Sequence, residues 1–313
     1  MSLIGKRLTM SIPNVDVAVA CSGTQTPDWW SPWAAMLLEA QKSGLVNIAR
    51  FWTLQSALPD HNKNHAISDS LSPGAGIAPA TEKKRNNLTD ANRVEITRRF
   101  LEYDSDWIFW SDDDTVPPLG ALTHLLSLSR EFVAGLYYYN KPPHNPIAYM
   151  RREGSPYYDP IWNFPYGTLM PVDSVGMGCT LIHRSVYERI LQNFTVVMRP
   201  NGSLTAIKND RITGDLEKFK EGTLLEVPQP RIENGSLIIP VWTPEVDDNR
   251  PFPFYALEYG RTEDHHFCEM CIDIGIRPYI DSTVNCQHWK NKPADRLDFK
   301  KEWFNHEGLN VGF

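Results

Sequence analysis

Asp112-Asp113-Asp114 closes the run Trp107-Ile-Phe-Trp-Ser and is followed, after Thr115-Val116, by Pro117-Pro118. Three adjacent anions repel unless something cationic sits among them. A hard divalent cation with oxygen ligands is the natural candidate; a helix cap or a solvated acidic turn is the plainer reading. A second acidic pair, Glu263-Asp264, stands far downstream at the head of a helical pattern. A carboxylate held beside a hydroxyl can take its proton as the hydroxyl attacks. The same pair is also what a helix dipole favours in any first turn.

The elements that would position these groups are readable. The apolar run reads as a buried strand that stops at the prolines. The carboxylates then lie at the mouth of a sheet, with Asp112 and Asp114 on one side of the extended backbone. Phe267, Met270, Cys271 and Ile274 follow the i, i+3, i+4, i+7 spacing of one helix face, with Thr262 as cap and Gly275 as stop. A strand over 276–281 follows. Upstream, 15–20 reads as a strand and Ser31-Pro32 opens a helix that ends at Gly44. A strand over 46–54, helices over 87–103 and 119–129 and a strand over 132–138 come next. This alternation predicts a mostly parallel α/β sheet covered by helices, with ligands at the carboxyl ends of the strands.

Three stretches depart from that rhythm. Residues 57–81 are polar and too long for an ordinary connection, hence a functional loop or a mobile one. Residues 139–171 are dense in Pro, Tyr and Trp and read as an ordered loop or short antiparallel strands over the site. Asn201-Gly202 and Asn234-Gly235 are hairpin signals. With candidate strands over 196–198, 224–227 and 236–241 they predict an inserted β flap over about 194–259.

Taken in order, the motifs resemble the GT-A glycosyltransferases, especially the large family 2 group, including bacterial and bacteriophage types. Asp112-x-Asp114 matches the Asp-x-Asp (DXD) strand end. Val172-Asp173-Ser-Val-Gly176-Met-Gly178 matches the sugar-facing strand. Glu263-Asp264 matches the acidic pair that opens a helix, and His288 matches a histidine beyond the next strand. The similarity runs over 1–289, leaving a charged, aromatic tail, 290–313, able to fold back over the site. It implies a GT-A (Rossmann-like) domain that moves a sugar from a nucleoside diphosphate sugar, UDP ahead of GDP on family frequency, to an acceptor hydroxyl. It also implies Mn2+ or Mg2+ as cofactor. Asp114 and His288 would be metal ligands, with Asp112 on the metal side or facing ribose beside Asp113. Asp264 would be the general base of an inverting step, and Glu263 would orient the site.

Ser22, Gly23 and Thr24 follow the first strand, where this fold meets the nucleotide. Arg85 and Asn86 resemble an Arg-Asn element that reaches base or phosphate. Asp173 could bond a donor hydroxyl, while Gly176 and Gly178 would allow a close backbone approach, or else mark a bulge or a packing need.

Composition narrows the rivals. With 42% hydrophobic and 22% charged residues the chain is that of an ordinary folded protein. A net charge of −7 lacks the basic footprint of a nucleic-acid binder, so the expected acceptor is a glycan or protein. No window is apolar enough to span a bilayer and no signal peptide is evident, which predicts a cytoplasmic protein. Five cysteines without paired spacing argue against a disulfide framework. Cys268-x-x-Cys271 reads as helix packing rather than zinc or redox chemistry. A sugar nucleotidylyltransferase is the first rival, but 21–27 lacks the arginine of that group's glycine-rich loop. The second is a non-catalytic carbohydrate-binding protein, with the aromatic residues as sugar platforms.

Overall fold

The structure is a computed structural model. It describes residues 12–20, 30–54, 80–155, 157–198, 204–212, 231–233, 236–238, 251–256, 261–289, 293–294 and 299. In chain order, β1 (Asn14–Ala20), α1 (Trp30–Ser43) and β2 (Asn47–Leu54) open the fold. Then α2 (Ala80–Glu102) feeds β3 (Trp107–Asp112), β4 (Thr115–Val116), α3 (Ala121–Ser127) and β5 (Phe132–Leu136). Short strands β6 (Ala148–Arg151), β7 (Tyr158–Pro160), β8 (Leu169–Pro171) and β9 (Ser174–Val175) lead to β10 (Cys179–His183) and α4 (Arg184–Asn193). Two antiparallel pairs follow, β11 (Phe194–Met198) with β12 (Leu204–Lys208) and β13 (Arg231–Glu233) with β14 (Ser236–Ile238). The chain continues through α5 (Glu263–Asp273), β15 (Tyr279–Asn285), β16 (Gln287–Trp289) and β17 (Pro293–Ala294).

The central sheet has seven strands in the order β2-β1-β3-β10-β5-β15-β8. β1, β2, β3, β5 and β15 run one way, but β10 and β8 run against them, so half of the neighbouring pairs are antiparallel. The expected α/β class holds, with five of the seven strands running one way and the two reversed strands making the sheet mixed. A parallel neighbour needs a crossover long enough to return the chain. β10 is instead entered directly from the glycine-bearing segment at the site end of the sheet, and so it runs back.

Alternation along the strands makes two cores. Val15, Val17, Val19 and Phe109 face α1 and α3 through Trp33, Met36, Leu122 and Leu125. Ala18, Ile108 and Trp110 face the other way, toward Phe100, Tyr187, Ile190 and Phe267 on α2, α4 and α5. Each large side chain so buried contributes about 1.5–3 kcal/mol. The result is helix, sheet, helix, with the ends of β3 and β5 at one rim.

The region expected as a flap is tied down at both ends. Phe194 is buried, and Phe254 and Tyr255 pack in the core against Tyr187. β11 pairs with β12 and β13 with β14 on either side of Asn201-Gly202 and Asn234-Gly235, which lie outside the described residues, as do 224–227 and 55–79. α2 begins at Ala80, well before the expected start at 87. The added turns hold Glu82, Lys83, Lys84 and Arg85, good helix formers with no apolar period to reveal them.

Candidate active site

The expected acidic motifs do meet, and the residue that joins them is Arg93. It rises from α2 with its side chain only 2% exposed. Nη2 donates to Asp112 Oδ1 at 2.6 Å, and Nη1 donates to Glu263 Oε1 at 2.7 Å and to Asp264 Oδ1 at 2.5 Å. Asp112 ends β3, whereas Glu263 and Asp264 occupy the first turn of α5 behind Thr262, whose hydroxyl makes no capping bond. Burial pushes the Asp264 carboxyl well above the usual carboxylate range; Arg93 pulls it down, and Glu263 and Asp112 push it further up. Burial likewise raises Asp112, against Arg93 and with Asp114. A raised carboxylate is the stronger base once ionised, as proton abstraction from a hydroxyl requires.

Asp114 and His288 form the second half. The strand ends at Asp112, and Asp113 and Asp114 make the turn into β4. The extended geometry expected to set Asp112 and Asp114 on one side therefore does not persist. Asp112 goes to Arg93 and Asp114 to His288, with Asp114 Oδ2 at 3.2 Å from His288 Nε2. β16 makes this contact possible by pairing antiparallel with β4, placing His288 opposite Thr115. His288 Nδ1 lies 2.7 Å from the Tyr138 carbonyl, which only accepts, so Nδ1 carries the proton. Nε2 then presents a lone pair to a carboxylate oxygen. Two electron-rich atoms at that range need a proton or a cation between them. Burial alone would lower the imidazole; the hydrogen bond and charge of Asp114 and the Tyr138 carbonyl outweigh it, and the net shift is upward.

This pair fits a hard divalent ion. Metal bonds of about 2.1 Å at right angles leave neighbouring donors roughly 3 Å apart, close to what is seen, and a backbone carbonyl on the far nitrogen is how ligating histidines are held. Among the described residues no three His, Cys, Asp or Glu side chains converge on one point. Two protein donors suit Mg2+ or Mn2+, which draw the rest of their shell from water and phosphate, better than a structural zinc.

The other expected residues fall as follows. Asp113 is buried and has a partner. Asp173 is spent on structure: Oδ2 accepts from the Arg151 N–H and Oδ1 from Arg277, both at 2.8 Å. Packing accounts for the two glycines. A Cβ on Gly176 would stand 2.1 Å from Tyr137 Oη, and one on Gly178 2.7 Å from Thr115 Oγ1. Between them, the Met177 backbone bonds Asp264, so this segment also holds that carboxyl. Ser22, Gly23 and Thr24 lie outside the described residues, as do the side chains of Arg85 and Asn86. His265 is sandwiched against Tyr158 at 4.4 Å and bonds Ser174, and burial and Arg261 push it down to about 4. His266 is buried. Cys268 and Cys271 are buried too, and burial pushes Cys268 up to about 12, far from the thiolate that redox or zinc chemistry needs.

Sequence reasoning missed Arg93, Tyr137 and Asp90. Tyr137 Oη accepts the Gly178 N–H at 3.1 Å, and its ring meets His288 edge-on at 5.5 Å, linking the two halves. Asp90, one turn before Arg93, is raised to about 8 by burial and by Glu263. Beyond their i, i+3 spacing, which ordinary surface pairs on the same helix share, the sequence carries no signal for Asp90 or Arg93.

No helix among the described residues is long and apolar enough to cross a membrane. No family model matches the chain, and no curated protein matches it. Among solved structures it is similar to A197 from STIV, at 13% identity and a TM-score of 0.39, covering 89% of this chain and 86% of that one.

Proposed function

We propose that this protein is a metal-dependent glycosyltransferase of GT-A type, taking a nucleoside diphosphate sugar as donor and an acceptor hydroxyl on a glycan or protein. The observation that carries the reading is the Asp114–His288 pair, two donors poised for a shared cation at the rim where Asp264 also stands. A divalent ion held by Asp114 and His288 would offset the charge that develops on a departing diphosphate. The rest falls to the chain itself. Asp264 takes the acceptor proton, and its raised affinity for that proton suits the task. Glu263 and Arg93 fix its orientation. Tyr255, buried beneath the Arg93 guanidinium, supports the cluster from the core side. A base opposite the leaving group implies single displacement with inversion.

A thermal-shift screen of UDP- and GDP-sugars with and without Mn2+ tests this reading. A donor that stabilises the protein only with Mn2+ is expected. A nucleotidylyltransferase would answer instead to a nucleoside triphosphate, and a lectin to free sugars without metal. No response to any nucleotide sugar would sink the proposal.

A further inference from the structure

We infer that Arg93 is the positioning residue of this site: an internal cation that locks the end of β3 to the start of α5 and stands where a second metal ion would otherwise be required. The inference rests on the glycosyl-transfer reading for its turnover arm and on the proposed Asp114–His288 metal for its wild-type Mn2+ count, whereas the gain of Mn2+ in the Arg93 variant stands apart from both.

Three observations carry it. First, the guanidinium sits behind the carboxylates and not in front of them. Its side chain is 2% exposed, while those of Glu263, Asp264 and Asp112 are 14%, 18% and 24% exposed. A ligand entering the site meets carboxylate oxygens, so Arg93 acts through them. Second, its planar fork joins two motifs that the sequence keeps far apart, and only an arginine offers two nitrogens at fixed spacing for this. A lysine would be a point charge.

Third, the guanidinium rests on a rigid floor. Arg93 Cζ lies over the Tyr255 ring at 6.0 Å. Tyr255 shares a 2.9 Å hydrogen bond with Tyr187, which accepts from Trp110 Nε1 at 2.9 Å, and it stacks on Phe267 at 4.8 Å. Trp110 lies two residues before Asp112 on β3, and Phe267 lies three residues after Asp264 on α5. The elements that carry the carboxylates therefore also carry the floor. A buried charge stripped of its partners is strongly destabilising, and here removal of one cation would strand three anions.

The test counts bound Mn2+ by electron paramagnetic resonance. Wild-type protein should hold one tight Mn2+, lost in Asp114→Ala. Arg93→Met should gain a second, which disappears again when Glu263→Gln and Asp264→Asn are added. On a donor found by screening, Arg93→Met should lose at least about 10²-fold in kcat, the scale of an ångström-sized misplacement, with KM nearly unchanged, and Arg93→Lys should recover part of it. Normal folding of Arg93→Met with no added Mn2+ and wild-type kcat would overturn the inference. If Arg93→Met does not fold, the neutral combination of Arg93→Met with Asp112→Asn, Glu263→Gln and Asp264→Asn decides. Restored folding shows that charge was the role of Arg93, whereas continued failure makes it a packing residue and ends the proposal. If the wild type turns over no nucleotide sugar, the functional reading fails while the Mn2+ count still judges Arg93.

Discussion

Asp264→Asn separates charge from shape and should move activity and stability in different directions. One guanidinium faces three carboxylates here, so the ionised cluster is anionic overall. Asparagine removes one negative charge and keeps an oxygen for Arg93 Nη1. Two like charges about 5 Å apart repel by roughly 3 kcal/mol at an effective dielectric constant near 20. That relief offsets the lost attraction to Arg93, so the stability change should stay within about 1 kcal/mol or be positive. The amide cannot take a proton. Loss of a general base costs about 10² to 10⁴ in rate, or about 3 to 5 kcal/mol of barrier. Thermal unfolding and turnover per folded molecule, measured on one preparation, check both halves. A variant that loses stability sharply while turning over at the wild-type rate would refute the reasoning and leave Asp264 as a helix-terminal charge.

Other expectations are as specific. His288→Ala should weaken Mn2+ binding, whereas His265→Ala and His266→Ala should leave it near wild type; equal affinities across the three variants would remove His288 from the ligand set. Gly176→Ala should cost about 1 to 3 kcal/mol, because the added methyl meets Tyr137 Oη at 2.1 Å and Ile147 at 2.6 Å. A urea midpoint unchanged from wild type would contradict that packing. The metal-free His288–Asp114 pair has a sign as well. Its imidazole is raised above 6.5, so its stabilisation is fully present below the unfolded value and is lost as pH rises through the folded one. Mn2+ must displace that proton, so affinity should climb as pH rises through the same window, with proton release. Calorimetry in two buffers of different ionisation enthalpy measures the release, and a pH-independent affinity would contradict the pairing.

What could be read in the sequence was local and periodic. The β3 strand was legible because an apolar run stops at carboxylates and prolines, and α5 because its apolar face recurs at helical spacing. The approach of His288 to Asp114 followed from motif order alone. The direction of β10 was not legible, since alternation of side chains carries no sense of direction. Arg93 was hidden for a different reason. It lies on a charged helix with Arg98 and Arg99, which make ordinary surface pairs with Glu95 and Glu102. Only the arrival of β3 and α5 from elsewhere in the chain distinguishes it. Tyr137, which fills the space above Gly176 and Gly178, is likewise a tertiary fact. The glycines announced a close approach without saying what approaches.

Nucleotide release tests the proposed metal-dependent transfer at its first step. Purified protein is given UDP- and GDP-sugars with Mn2+ or with chelator, and the free nucleoside diphosphate is counted for wild type and for Asp114→Ala. Release is expected from at least one donor, dependent on Mn2+ and abolished in Asp114→Ala while the fold persists. Release that continues in chelator, or none from any donor by folded protein with Mn2+, would contradict it.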